Sequence, residues 1–147
     1  VDTTSRLSEI SNIIGIKDAT GDLSVIKELV AKCPEDFLLL TGDDATAIDF
    51  LLLGGHGGIS VTANVTPKEL QKAYLAAIAG NAEVSKKLNE GLSGLHKNLF
   101  IESNPIPVKW ALHKMGKCDS GIRLPLLELS NECKTVLEND LKELNLI

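Results

Sequence analysis

Aromatic residues are scarce: one Trp, one Tyr and three Phe among 147 residues. With 44% of residues hydrophobic, the core must be aliphatic, built from Leu, Ile, Val and Ala. Positive charge is also short, 15 Lys and Arg against 20 Asp and Glu, for a net charge of −5. An acidic chain without a basic run is a poor ligand for phosphate backbones, so nucleic acid is not expected as a partner. Long apolar runs are missing as well. The longest candidate, Ala45–Leu53, is interrupted by Asp49, which argues against a membrane span. The three cysteines, Cys33, Cys118 and Cys133, lack CxxC spacing. Neither a disulfide framework nor a metal site is indicated, and free thiols in a cytoplasmic protein are expected. The N-terminus has no apolar segment of the secretory type. The chain opens at Val1 rather than Met, inside a helical pattern over Thr4–Ile10, so a fragment or a trimmed product is expected.

What is present is a regular alternation. Asn12–Ala19 is short, β-branched and almost continuously apolar, as expected of a parallel strand buried on both faces. After the turn at Thr20-Gly21-Asp22, Leu23, Ile26, Leu29 and Val30 share one face of a helix over Leu23–Lys32, ended by Cys33-Pro34. Phe37–Leu40 is a second strand. A short apolar helix over Ala45–Leu53 follows, stopped by Gly54-Gly55. Gly57–Val61 is a third strand. Thr66 and Glu69 then have capping-box spacing around Pro67, predicting a helix to about Ala79.

From Asn81 the strand signal ends. Ala82–Phe100 has helical spacing, Asn104-Pro105 reads as a cap before a helix over Pro107–Met115, and Gly116–Pro125 is a loop. A final amphipathic helix over Ser130–Leu144 is predicted to turn Cys133, Val136, Leu137, Leu141 and Leu144 inward. Three βα units in a row imply a parallel sheet covered by helices. Three such strands alone would leave two edges open. The expected fold is α/β, the last three βα units of a (β/α)8 barrel followed by a C-terminal helical region; an open three-stranded α/β domain is the alternative, and it explains poorly why the strands are so apolar. Residues 1–80 would form the barrel part and 81–147 the helical part. A whole barrel needs about 250 residues.

Lys17 is the informative residue. Strand alternation puts Ile13, Gly15 and Lys17 on one face, with the lysine near the strand's C-terminal end, where such barrels keep their catalytic groups. If that face is a barrel interior, burial disfavours the ammonium and frees a nucleophilic amine near neutral pH. Position alone favours a lysine that snorkels to water, and a lone strand-end lysine is a weak signal. Asp43-Asp44 could be an acid–base pair, but a turn and helix cap is the simpler reading. His56 lies between glycines at the N-terminal side of a strand, the wrong end for a general base. Gly54–Gly58 lacks the Lys-Ser/Thr of a phosphate loop. His96, His113 and Trp110 lie on helices without partners at ligand spacing, and Tyr74 falls on a helix face away from the strand ends.

Four blocks carry a more specific signal: Ile14-Gly15-Ile16-Lys17-Asp18-Ala19-Thr20-Gly21-Asp22-Leu23; Thr41-Gly42-Asp43-Asp44; Leu53 through Asn64; and Glu102 through Lys109. In order and separation they resemble the dihydrodipicolinate synthase family of Schiff-base aldolases, and cover most of the chain. The sister N-acetylneuraminate lyases share the fold and the lysine, but GDDATAIDF and ISVTAN are closer to the synthases. The resemblance implies that Lys17 attacks the ketone of pyruvate. The resulting enamine adds to aspartate 4-semialdehyde, in lysine and diaminopimelate biosynthesis. It also implies Gly42 and Ile59 as pocket residues, no cofactor or metal, and a homo-oligomer, a tetramer in the family. The family's proton-shuttling tyrosine, its carboxylate-holding threonines and its arginine for the second substrate have no counterpart here. The 147 residues alone are therefore expected to be inactive, and a non-catalytic half that folds and associates is the competing expectation.

Overall fold

The computed structural model describes residues 1–147. The chain forms α1 (Asp2–Leu7), β1 (Gly15–Asp18), α2 (Leu23–Lys32), β2 (Leu38–Thr41), α3 (Ala47–Leu52), β3 (Gly57–Gly58), α4 (Pro67–Ile78), α5 (Ala82–Glu90), α6 (Ser93–Asn98), α7 (Ile106–Lys114) and α8 (Asn131–Glu143). A short 3-10 turn, Thr62–Asn64, follows β3. The strands form one parallel sheet in the order β1-β2-β3. The expected alternation is present, and no helix is long and apolar enough to cross a membrane.

The sheet's two faces differ. Ile16 pairs with Leu39, and this face packs under α2 and α3 against Ile26, Leu29, Phe37 and Phe50. Lys17 pairs with Leu40, and Leu40 with Gly57, so these residues share the opposite face. No helix covers that side: Leu38 is 39% exposed and Ile59 52%. β1 and β3 each have one neighbour, leaving two sheet edges unpaired. The expectation that the strands are buried on both faces is thus met on one face only.

The helices after Asn81 make their own core. Leu95, Leu99, Leu137 and Leu141 are fully buried, joined by Val65, Val108 and Ala111. α5 begins at Asn81, whose side chain accepts the Val84 N–H, and α8 at Ser130, which accepts that of Cys133. Several local expectations are corrected. The helix predicted over Ala82–Phe100 is two helices, broken at Gly91-Leu92. Gly94 then fits against Asp140, and Asn98 Nδ2 donates to Asp140 Oδ2 at 2.8 Å, so α6 turns to meet α8. Thr66 makes no capping hydrogen bond, its hydroxyl lying 3.5 Å from Thr62 O, so the predicted capping box does not form. Pro105, not Asn104, occupies the N-cap position of α7. Val136 is 38% exposed rather than inward. The first helix ends at Leu7 rather than Ile10.

Candidate active site

The C-terminal ends of the strands gather the residues singled out from the sequence. Lys17 is the third residue of β1 and lies on the open face. Gly42 follows β2, its N–H donating to Asp18 O at 2.6 Å. A Cβ on Gly42 would overlap Lys17 Cε and lie 3.0 Å from Ala19 Cβ. The missing side chain is thus what lets the lysine stem cross the end of β2. Ile59 follows β3, its N–H bonded to Thr41 O at 2.8 Å, and alternation from Gly57 turns its side chain to the open face as well. With one strand between them and Ile59 two residues beyond the Lys17–Leu40–Gly57 row, the two stand roughly 12 Å apart across the sheet. All three candidates therefore border one surface.

Lys17 is exposed on that surface. No helix of the chain covers this face, so the closed interior under which the amine would be buried is not formed by these residues.

Two carboxylates, the half-buried Asp43 and the buried Asp44, lie behind the strand ends. Asp43 Oδ2 accepts from Thr46 N at 2.9 Å and Thr46 Oγ1 at 2.7 Å, which fixes the turn into α3. The helix cap expected of this pair does not form: Thr46 occupies the N-cap position of α3 without a side-chain cap bond, and Asp43 holds the turn before it. Asp44 does something the sequence does not announce. Only 1% exposed, it accepts through Oδ2 from the backbone N–H groups of Val61 and Thr62, each at 3.1 Å. The first of these donors, Val61, is the last residue of the segment predicted as β3. Their capture by a carboxylate ends the strand early and starts the 3-10 turn. Asp44 Oδ1 is buried with no partner, and an unmet acceptor of this kind costs about 1–3 kcal/mol.

Thr62 Oγ1 lies 3.2 Å from Asp44 Oδ2 and 2.9 Å from His96 Nδ1, and His96 Nε2 lies 3.0 Å from Asn89 Oδ1. His96 is buried, and that burial holds its pKa below the ordinary histidine value despite the opposing charges of Asp44 and Asp43. His96, expected on a helix without partners at ligand spacing, is a core residue inside a hydrogen-bonded chain.

Tyr74 is corrected too. Its ring packs on β3, where a Cβ on Gly58 would come 2.8 Å from its hydroxyl, so it reaches the strand ends. It does so on the helix-covered face, because Gly58 pairs with Thr41 and not with the Lys17–Leu40 row. Burial and the charge of Asp44 push its phenol pKa well up, and it is separated from Lys17 by the sheet.

His56 Nδ1 accepts the Leu39 N–H at 3.0 Å, extending the ladder at the N-terminal end of β3. Glu102 accepts the N–H of Ser130 at 3.1 Å, which anchors the start of α8, and the Ser130 hydroxyl together with that N–H keeps its carboxyl below the usual range. No three His, Cys, Asp or Glu side chains are arranged to hold a metal ion, and the three cysteines are free. A cavity of about 270 Å³ lies between α7, the following loop and α8, lined by Ile106, Lys109, Trp110 and Lys134 among others. None of the strand-end candidates borders it.

A parallel α/β sheet with a lysine at the C-terminal end of one strand defines a class: part of a barrel-type enzyme scaffold. The comparisons are narrower. The sequence pattern of the dihydrodipicolinate synthetase family matches residues 1–144, and the chain belongs to that family. It is 58% identical over 147 residues to the 4-hydroxy-tetrahydrodipicolinate synthase of Ruthia magnifica, covering 100% of this chain and 50% of that one. The synthase of Laribacter hongkongensis is 56% identical over 146 residues, with 99% and 50% covered. Among solved structures, the chloride-inhibited dihydrodipicolinate synthase of Acinetobacter baumannii complexed with pyruvate superposes with a TM-score of 0.96. That chain is 49% identical, with 99% of this chain and 50% of that one covered. The three strands therefore match half of such a barrel, and the chain spans about half the length of the relatives it matches.

Proposed function

We propose that the chain is the C-terminal half of a barrel that condenses pyruvate with aspartate 4-semialdehyde, that Lys17 is its Schiff-base lysine, and that Gly42 and Ile59 line the keto-acid pocket. The carrying observation is the convergence of these three side-chain positions on one open face, with Gly42 leaving room for the lysine stem. The place in the barrel is supported by three βα units that run directly into a helical region with its own core. Residues 1–80 would be the barrel part and 81–147 the appended part.

In this reading the Lys17 amine attacks the ketone carbon of pyruvate, and water leaves as the imine forms. The protonated imine accepts the electron pair released when a methyl proton departs. The enamine carbon then bonds to the aldehyde carbon of the second substrate. The imine itself is the electron sink, so neither metal nor cofactor is called for. Atoms packed on the open face would exclude water from around Lys17 and the bound keto acid. Assembly into a homo-oligomer belongs to the same proposal, supported by the exposed Leu75 and Ile78 of α4.

The test is borohydride reduction in the presence of pyruvate, followed by peptide mass spectrometry. A stable adduct on the Lys17 peptide, lost in Lys17→Ala, is expected. No adduct in the complete protein overturns the proposal. Turnover with N-acetylneuraminate but not aspartate semialdehyde would assign the sister lyase activity instead. A non-catalytic role for these 147 residues by themselves is favoured by one observation, the exposure of Lys17. An adduct formed by the isolated chain would refute it.

A further inference from the structure

We infer that Asp44, Thr62 and His96 form a buried clamp that sets the position of Ile59 relative to Lys17, making His96, a residue of the helical region, a positioning residue for the strand-end site. This inference rests on the proposed function for its consequence but not for its geometry.

The loops carrying the two pocket candidates have no other firm tie past the sheet. Gly42 lies two residues before Asp44, and Ile59 two residues before Val61. β2 and β3 pair only through Leu40–Gly57 and Thr41–Gly58, extended by the Ile59 N–H to Thr41 O bond. Beyond that point Asp44 Oδ2 takes over, holding the N–H groups of Val61 and Thr62 at 3.1 Å. A single carboxylate oxygen thus replaces the next rung of the ladder and binds the β2 loop to the β3 loop. Side-chain donors and acceptors inside a buried site are stronger than at the surface, and charged acceptors stronger again.

The clamp is held from behind by a proton count. Thr62 has one hydroxyl proton and two acceptors within reach, Asp44 Oδ2 at 3.2 Å and His96 Nδ1 at 2.9 Å. Asn89 presents Oδ1 to His96 Nε2 at 3.0 Å, so that nitrogen carries the ring proton when His96 is neutral. His96 Nδ1 is then an acceptor, and the Thr62 hydroxyl donates to it. Thr62 is drawn toward α6 by its side chain while its N–H stays on Asp44. Asn89 and His96 lie on α5 and α6, so the far anchor of the β3 loop is in the helical region. Asp44 is 1% exposed, Thr62 fully buried and His96 6% exposed, which excludes solvent from each link.

The test uses the full polypeptide in which these residues occur and compares Thr62→Val, which removes only the hydroxyl, with Thr62→Ser, which keeps it. Two readouts are taken: the pyruvate concentration giving half-maximal borohydride trapping, and amide hydrogen exchange across residues 59–62. Thr62→Val is expected to raise half-saturating pyruvate about tenfold, the effect of one hydrogen bond, while the limiting trapping rate changes about twofold or less. Exchange at residues 59–62 should accelerate, and Thr62→Ser should restore both readouts. His96→Leu should reproduce Thr62→Val, and the double variant should add nothing, because both cut the same chain. A lowered unfolding midpoint with unchanged half-saturation in Thr62→Val and His96→Leu would overturn the inference and leave the contacts merely structural. If Thr62→Val does not fold, His96→Gln takes its place with the same criteria. Absence of any wild-type adduct would defeat the proposed function, and the exchange comparison would then decide the clamp by itself.

Discussion

The sheet region and the helices after Asn81 are both aliphatic, yet only one of them closes on itself. In the helical region Leu95, Leu99, Leu137 and Leu141 are wholly buried within a single cluster. In the sheet region one face is buried by α2 and α3, while Leu38, Ile59 and Lys17 stand open on the other. The cause lies in the geometry of the elements. A helix satisfies its backbone internally and needs to bury one stripe, which a few neighbours provide. A parallel strand of a barrel needs partners on both edges and cover on both faces. Half a barrel cannot supply these, and the open face is where the candidate site lies.

The sharpest way to break this contrast is to truncate one residue from each side. Leu137→Ala should destabilise the chain by about 2–5 kcal/mol, as for other fully buried leucines, measured by denaturant unfolding. Ile59→Ala, half exposed on the open face, should change stability by about 0.5 kcal/mol or less in the same experiment. It should nonetheless weaken pyruvate trapping in the complete protein. If Ile59→Ala were as disruptive as Leu137→Ala, the open face would be covered after all.

Gly42→Ala sharpens the contrast within the sheet region. The added methyl meets Lys17 Cε and Ala19 Cβ, so a loss of about 1–3 kcal/mol is expected from overpacking. Because the lysine stem is the more mobile obstacle, the larger part of the effect should be a reduced rate of Lys17 trapping. Asn81→Ala removes the side chain that caps α5 and should lower stability by about 1 kcal/mol, without altering trapping.

The smallest expected effect is on pH dependence. The pKa of His96 is lowered by burial, so between the unfolded value near 6.5 and its folded value the unfolded chain binds the extra proton. This group's contribution to stability is therefore complete above that window and diminishes as pH falls through it. Asp43 and Asp44 oppose the shift and moderate it. Unfolding midpoints measured from pH 7.5 down to 5 should fall less steeply in His96→Gln than in the wild type. Equal slopes would mean that His96 is not the titrating group.

Much of this organisation was legible beforehand, and the misses share a cause. The helix over Leu23–Lys32 falls where its spacing and the Asp22 turn put it, because cap and amphipathic stripe are local signals. The three strands were located to within a few residues for the same reason. The helix over Ala82–Phe100 was read as unbroken, because Gly91 is tolerated by the pattern and only the approach of α6 to Asp140 explains the turn there. The strand over Gly57–Val61 was read too long. Its last N–H group is captured by a carboxylate 17 residues earlier, and no periodicity reports that. Lys17, Gly42 and Ile59 were found from motifs. The roles of Asp44 and His96 were not legible there, because neither has a neighbour in sequence that gives it one.

By itself the sequence determined the order of elements, the position of a lysine at a strand end and the family to which the chain belongs. Each of these is written in contiguous residues or in spacing along one element. Tertiary structure alone decided which sheet face is covered, that Lys17 is exposed, that Tyr74 and Lys17 lie on opposite faces, and that Asp44, Thr62, His96 and Asn89 meet. Those facts depend on which distant segments pack together. Residues 18 and 34 positions apart become hydrogen-bond partners only once the helical region closes against the strand ends.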